Sequence, residues 1–209
     1  MRVIVVGATG KIGRLAVAAM LEQGHEVTAF ARRPEKLGLI NDRLTLFPGD
    51  ASAIADLKQA ISSHDAVVVT LGAGAARKGT IRSQGTLNVI QAMHATGVRR
   101  LICQSTLGAH ESWSNLNFFW KRVMFGLLLR PVFLDHELQE TLVRASGLDW
   151  TIVRPSAFAE GPATGTYREA FAATERNLSL KISMADVAEF LRKQLTDKRY
   201  LQRAVGISN

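Results

Sequence analysis

The chain has 209 residues, 47% hydrophobic and 21% charged, and a formal net charge of +8. That length suits one domain with a substantial buried core, and the balance excludes a disordered or fibrous chain. Its single cysteine, Cys103, excludes an intrachain disulfide framework and a C-x-x-C centre, and fits a reducing, cytoplasmic setting.

Taken in chain order, short apolar runs alternate with helical periodicity, the pattern of a parallel sheet covered by helices on both sides. "RVIVV" (2–6) reads as a buried strand. Ile12, Leu15, Ala16, Ala19 and Met20 then recur at helical spacing up to Gly24. Strands are expected at 26–31 ("EVTAFA") and 43–47 ("RLTLF"), a helix at about 53–62 and a strand at 65–71 ("DAVVVTL"). The stretch 79–97 carries a helix stopped by Gly97, and "RRLICQS" (99–105) is the next strand.

Asp135 is expected to cap "HELQETLVRAS", and "DWTIVRP" (149–155) to be the sixth strand. Ser183 and Asp186 form a short version of a capping box before a helix whose face is Met184, Val187, Leu191 and Leu195. "LQRAVGI" (201–207) closes the sheet. "GPATGTY" (161–167) reads as a surface turn near the C-terminal edge of the sheet. Residues 1–209 read as one Rossmann-type, doubly wound α/β domain with a small C-terminal substrate-side region.

Met1 leads almost directly into the first apolar run, so no cleaved leader is expected. The most apolar region, 116–134, is interrupted by Lys121, Arg122 and Arg130, so no membrane anchor is expected. The positive surplus attracts anions, but it is scattered, so nucleic acid is not expected as the primary ligand.

"GATGKIG" (7–13) follows the first strand and opens the first helix. Such a turn aims backbone N–H groups at an anion where the helix dipole is positive. Gly7 allows the tight turn, Gly10 lets the backbone approach a pyrophosphate, and Gly13 lets the helix lie close to the sheet. Thr9 adds a hydroxyl and Lys11 a charge. With Ala8 and Ile12 the whole turn is taken as cofactor-binding; the plainer alternative is a structural strand-to-helix turn.

The second strand ends in "FARRPEK". An NAD-specific site usually has an acid there for the ribose 2′-hydroxyl. Arg32, Arg33 and Lys36 stand there instead, which suits a 2′-phosphate and favours NADP(H) over NAD(H). Asp50 is placed for the adenine amino group, and Leu71, Gly72 and Ala73 offer bare backbone beside a ribose.

"VIVVGATGKIG", "VTAFARRPEKL", "PGDA", "DAVVVTLGAG", "SQGTLNVIQAM", "SGLDWTIVRPSAF" and "ISMADVAEFL" together resemble the atypical short-chain dehydrogenase/reductases of the NmrA-like, NAD(P)-binding type. Within it they resemble most the biliverdin-IX-beta reductase/flavin reductase kind. The resemblance spans the chain. It implies a Rossmann fold, NADPH, and hydride transfer to a flavin, biliverdin or other conjugated acceptor. Position by position, it implies pyrophosphate contacts at Gly7, Thr9, Gly10, Ile12 and Gly13 and 2′-phosphate contacts at Arg32 and Lys36. Adenine contacts follow at Asp50 and Ala51, and ribose contacts at Leu71 and Gly72. Ser105 and Thr106 would face the nicotinamide and substrate as the catalytic pair, with Pro155 and Ser156 beside the nicotinamide.

There are departures. The family's histidine after the proline pair is Ala157 here. The acid–base Tyr-x-x-x-Lys of many short-chain dehydrogenases is missing: neither Tyr167 nor Tyr200 has a lysine four residues on, and Val132 and His136 stand where that pair could lie. His136 reads first as a surface histidine near a helix start, with a proton relay as the rival. His25, His64, His94 and His110 lack metal-ligand spacing. Cys103 reads as a small buried strand residue.

The aromatic run 113–134, with Trp113, Phe118, Phe119, Trp120 and Phe125, reads first as core, with a wall for a planar acceptor or a dimer contact as rivals. The expected partner is a small flavin-like acceptor, and the protein a monomer or homodimer. A second reading is a non-catalytic NADP(H)-sensing regulator; an isomerase or epimerase is a third.

Overall fold

A computed structural model of the protein describes residues 1–72 and 79–209. Its strands, in chain order, are β1 (Arg2–Val6), β2 (Glu26–Ala31), β3 (Leu44–Pro48), β4 (Ala66–Val69), β5 (Arg100–Gln104), β6 (Asp149–Pro155), β7 (Ala157–Ala159), β8 (Arg168–Glu169), β9 (Lys181–Ser183) and β10 (Arg203–Ser208). Among the described residues, eight of them form one sheet in the order β3-β2-β1-β4-β5-β6-β10-β8. All its pairings are parallel except β8 against β10, at one edge. β7 and β9 make a separate parallel pair.

Val3–Val6 and all of β4 are buried, which is why both are unbroken apolar runs. The helices are α1 (Lys11–Glu22), α2 (Ile54–Ile61), α3 (Ile81–Thr96), α4 (Arg130–Arg144) and α5 (Met184–Lys193). α1 and α5 bury Val17, Met20, Val187 and Leu191 on one face of the sheet. α2, α3 and α4 bury Leu57, Val89, Met93 and Val143 on the other. The fold is therefore the doubly wound Rossmann type expected, and strand order reverses between β1 and β4.

One capping expectation fails and another holds by half. α4 begins at Arg130, with Pro131 in its first turn where a proline costs no hydrogen bond. Asp135 thus lies inside the helix. Its carboxylate accepts from the backbone N–H groups of Arg82 (3.1 Å) and Ser83 (3.0 Å) and from the Ser83 hydroxyl (2.6 Å), so it caps α3 from outside. At α5, Ser183 does accept from the Asp186 N–H. The Asp186 carboxylate, however, turns to Thr164 and Gly165 and ties down the exposed 161–166 turn.

Beneath the end of β6 lies a buried ion pair. Arg154 donates to both oxygens of Glu140, at 2.8 and 2.5 Å, with the two side chains 2% and 0% exposed. The Arg154 guanidinium also meets Glu111 at 3.0 Å. The pair joins α4, β6 and the 3-10 turn His110–Asn115. Removing one partner of such a pair leaves an uncompensated buried charge. Arg154→Met is therefore expected to cost ~3–5 kcal/mol, and adding Glu140→Leu to recover most of it. Urea midpoints of the three proteins test this; equal midpoints for wild type and the single variant would refute it.

Candidate functional site

The cleft forms where β1 and β4 part. Gly7 ends β1 with φ +93°, and a Cβ there would stand 2.8 Å from the Thr70 carbonyl oxygen. Gly7 and Ala8 donate to the Phe30 carbonyl (3.1 and 3.4 Å), which fastens the turn to β2. A Cβ on Gly13 would stand 2.3 Å from the Gly7 carbonyl oxygen, so α1 packs on the turn only because position 13 is glycine.

Gly10 differs. It is the N-cap of α1 with ordinary φ, and a Cβ there would meet nothing closer than 3.3 Å. No side chain caps the helix, so its first N–H groups are left to solvent or to an anion. Thr9 is half-buried. Lys11 is exposed and reaches Glu160 at 3.8 Å, a solvated pair of little strength.

Arg32 and Arg33 end β2 as exposed side chains, and Lys36 lies in the short 3-10 turn Pro34–Leu37. Arg14, on α1, donates to the Lys36 carbonyl at 2.6 Å and so ties that basic turn to the glycine helix. Sequence reading missed Arg14, because its partner is a backbone atom that leaves no residue signature. Asp50 accepts from the Ser52 N–H (2.9 Å) and hydroxyl (2.7 Å). These bonds, and after them the Arg32 charge nearby, hold its carboxyl below the usual range. The buried Ala51 offers its carbonyl to Asn88 at 2.9 Å.

At the end of β4, Leu71 packs against Gly85 of α3, where a Cβ would stand 2.6 Å from its side chain, and Gly72 is exposed. Ala73 lies outside the described residues. Arg82 went unread in the sequence. A Cβ on Gly72 would stand 3.9 Å from its Nη2, and its Nη1 is 3.6 Å from Asp135.

Ser105 and Ser156, 2% and 6% exposed, follow β5 and β6, which are neighbours. Both hydroxyls are buried with no hydrogen-bond partner among the described residues, a costly state that a ligand's polar groups would relieve. Thr106, Ser156, Leu107, Trp120, Phe125 and Leu180 line a slot of about 40 Å³. Pro155 is buried and positions Leu107 by accepting from its N–H at 2.8 Å. The uncapped turn, the open side of Gly10 and the two orphaned hydroxyls fit a dinucleotide.

The aromatic run divides. Phe125 packs with Leu107, Leu116, Phe133 and Leu180 as a small third core, and Phe118 and Phe119 are exposed. Residues Trp120–Leu128 form a π-helix. Cys103 is buried, which raises its thiol pKa far above the ordinary value. Among the described residues no three His, Cys, Asp or Glu side chains could hold a metal, and no helix is long and apolar enough to cross a membrane.

Residues 7–198 match the NAD(P)H-binding family, to which the chain belongs. It is similar to an uncharacterized sugar epimerase, YhfK, of Bacillus subtilis, with 26% identity over all of this chain and 94% of that one. Among solved structures, a short-chain dehydrogenase/reductase of Veillonella parvula in complex with NADP superposes with a TM-score of 0.83 at 19% identity, covering 100% and 94% of the two chains. ChuY, an anaerobillin reductase of Escherichia coli O157:H7, gives 0.79 at 24% identity over 100% and 97%. At these identities the two structures speak for the fold. The family places the chain among oxidoreductase-like NAD(P)H binders.

His136 is not at the surface. It is buried between α4 and α3, where its Nδ1 lies 3.2 Å from Gln139 Oε1, and Gln139 donates to Thr86 at 2.9 Å. Burial, and then the Arg82 charge, lower its pKa to about 3. The ring is neutral in the fold and charges in the unfolded chain. Its contribution is therefore whole above the ordinary value of 6.5 and is lost as pH falls from there toward 3. His136→Gln is expected to flatten the stability profile between pH 6.5 and 4 by up to about 1.4 kcal/mol per pH unit. Urea melts across that range test it; parallel profiles would refute it.

Proposed function

We propose that the protein is an NADPH-dependent reductase that passes hydride to a planar, conjugated acceptor such as a flavin or a linear tetrapyrrole. The observation that carries this reading is the slot after β5 and β6. Its described lining contains hydroxyls and apolar side chains but no group that titrates near neutral pH. A ketone reduced there would find no proton donor for its alkoxide. A delocalised acceptor spreads the charge and takes its proton from solvent. The NADP-bound Veillonella parvula structure and the reductase ChuY share the fold, which is consistent with this reading.

In this proposal the first N–H groups of α1, with Thr9, hold the pyrophosphate. Arg32, Arg33 and Lys36 hold the 2′-phosphate, Asp50 and Ala51 the adenine, and Leu71, Gly72 and Ala73 the ribose. Ser105 and Ser156 meet the carboxamide, with Pro155 fixing the backbone between them and Leu107. Thr106 donates to the acceptor, while Trp120 and Phe125 exclude water. The bound nicotinamide supplies the hydride. The chain's own part is orientation, which alone lowers a barrier by several kcal/mol.

The same bare slot also favours a second reading, a sensor that binds NADP(H) without turning it over. Absorbance of NADPH, followed with FMN, FAD, biliverdin and quinones, separates the two: oxidation is expected with at least one acceptor, and tight binding with none oxidised refutes the reductase.

Two substitutions test the cofactor assignment. Arg32→Ala is expected to weaken NADPH by about 1.5–3 kcal/mol and to leave NADH nearly unchanged. Equal losses in titrations of both would remove the 2′-phosphate contact. Gly10→Ala is expected to fold with a loss of about 1 kcal/mol or less, yet to bind NADPH roughly tenfold or more weakly. Gly13→Ala is expected to destabilise the fold itself. Urea melts paired with cofactor titrations check both, and unchanged affinity in folded Gly10→Ala would count against the turn as the pyrophosphate site.

A further inference from the structure

The run 113–134 builds a second, outer cavity next to the slot; Phe125 lines both. The outer one holds about 570 Å³, within the range of small-molecule sites. Trp113, Phe125 and Phe133 line it as a connected aromatic wall: Phe125 and Phe133 stack at 4.7 Å and 27°, and Trp113 lies 5.2 Å from Phe133. The other conspicuous lining residues are Lys121, Arg122 and Arg130, and no carboxylate is among them. None of the three takes part in an ion pair among the described residues.

Lys121 and Arg122 lie in the π-helix and Arg130 opens α4; within the π-helix Gly126 sits over Lys121, where a Cβ would stand 2.9 Å from the Lys121 carbonyl oxygen. Three cations gathered without counter-charge repel one another and draw an anion. Guanidinium forks suit the planar oxyanions of carboxylate and phosphate. The aromatic wall suits a flat apolar body. A concave cavity with two buried rings in its wall is the shape of a small-molecule site, whereas an anionic membrane would meet a convex face.

We infer that the outer cavity holds the anionic end of the acceptor, so that the substrate class is a planar conjugated molecule bearing a carboxylate or phosphate. This rests on the reductase reading, because it takes the outer cavity and the inner slot as two halves of one site.

The test pairs acceptors that share a ring system and differ in charge: FMN against riboflavin, and biliverdin against its dimethyl ester. Binding is titrated to the NADP⁺-saturated full chain. The charged member of at least one pair is expected to bind roughly tenfold or more tightly, with the preference shrinking as salt rises. In the combined variant Lys121→Gln, Arg122→Gln, Arg130→Gln the preference falls to near unity while NADP⁺ affinity is kept. Equal affinities in both pairs, no binding from either, or a preference that survives the variant overturns the inference. If the variant does not fold, the wild-type pairs still decide. Charge preference in binding without NADPH oxidation sustains the cavity and sinks the reductase; oxidation with equal KM for both members does the reverse.

Discussion

Three backbone segments meet at the head of the cleft, and no β-carbon fits between them. Gly7 lies under the Thr70 carbonyl, and Gly13 lies on the Gly7 carbonyl. This contact fixes the distance between β1, β4 and α1, and with it the place where the sheet reverses direction. Everything in the cleft is referred to it. The N-terminal N–H groups of α1 point where they do because the helix is seated on the turn. The Thr70 hydroxyl, 3.3 Å from the Val6 and Gly7 carbonyls, closes the same joint.

Two other contacts carry that order outward. Arg14 holds the basic turn 34–37 against α1, so Arg32, Arg33 and Lys36 keep a fixed relation to the glycine turn. Asp135 caps α3 from α4, setting the helix that follows the Gly72 end of the cleft beside the one that follows the aromatic run. The Arg154–Glu140 pair then locks α4 beneath the end of β6. Buried pairs of this kind add little net stability. Their positional effect here is plain: the side chain before Pro155 and Ser156 has one available partner set.

The parts legible in the sequence are those whose partners are near in the chain. The glycine turn, the basic strand end and the buried runs of β1, β4 and β6 each declare themselves within about seven residues. What escaped reading depends on partners far away. Asp135 looked like a local cap because an acid before an apolar helix usually is one, yet its partners, Arg82 and Ser83, are more than fifty residues earlier. His136 looked solvated because a histidine near a helix start usually is; α3 packs over it. The run 113–134 carries apolar residues on every side of any helix drawn through it, so periodicity could not separate buried Phe125 from exposed Phe118. The π-helix adds a residue per turn, which no 3.6-residue pattern anticipates.

The fold gives part of the basic surplus a location. Read along the chain, the basic residues look scattered. In the structure two sets follow the C-terminal ends of strands of one parallel sheet: Arg32, Arg33 and Lys36 after β2, and Lys121, Arg122 and Arg130 after β5. In an open α/β sheet the C-terminal side is where ligands collect, because helix N-termini and strand-end loops gather there. In strand order the Gly7 turn, after β1, lies between those two sets, and Ser105 and Ser156, after β5 and β6, lie at the end of the second. Two basic sets on the same side of one sheet, with the glycine turn after β1 between them in strand order, are compatible with two anionic molecules held by their charged ends. On the proposed reductase reading, such anchoring leaves the uncharged rings free to approach closely enough for hydride to pass.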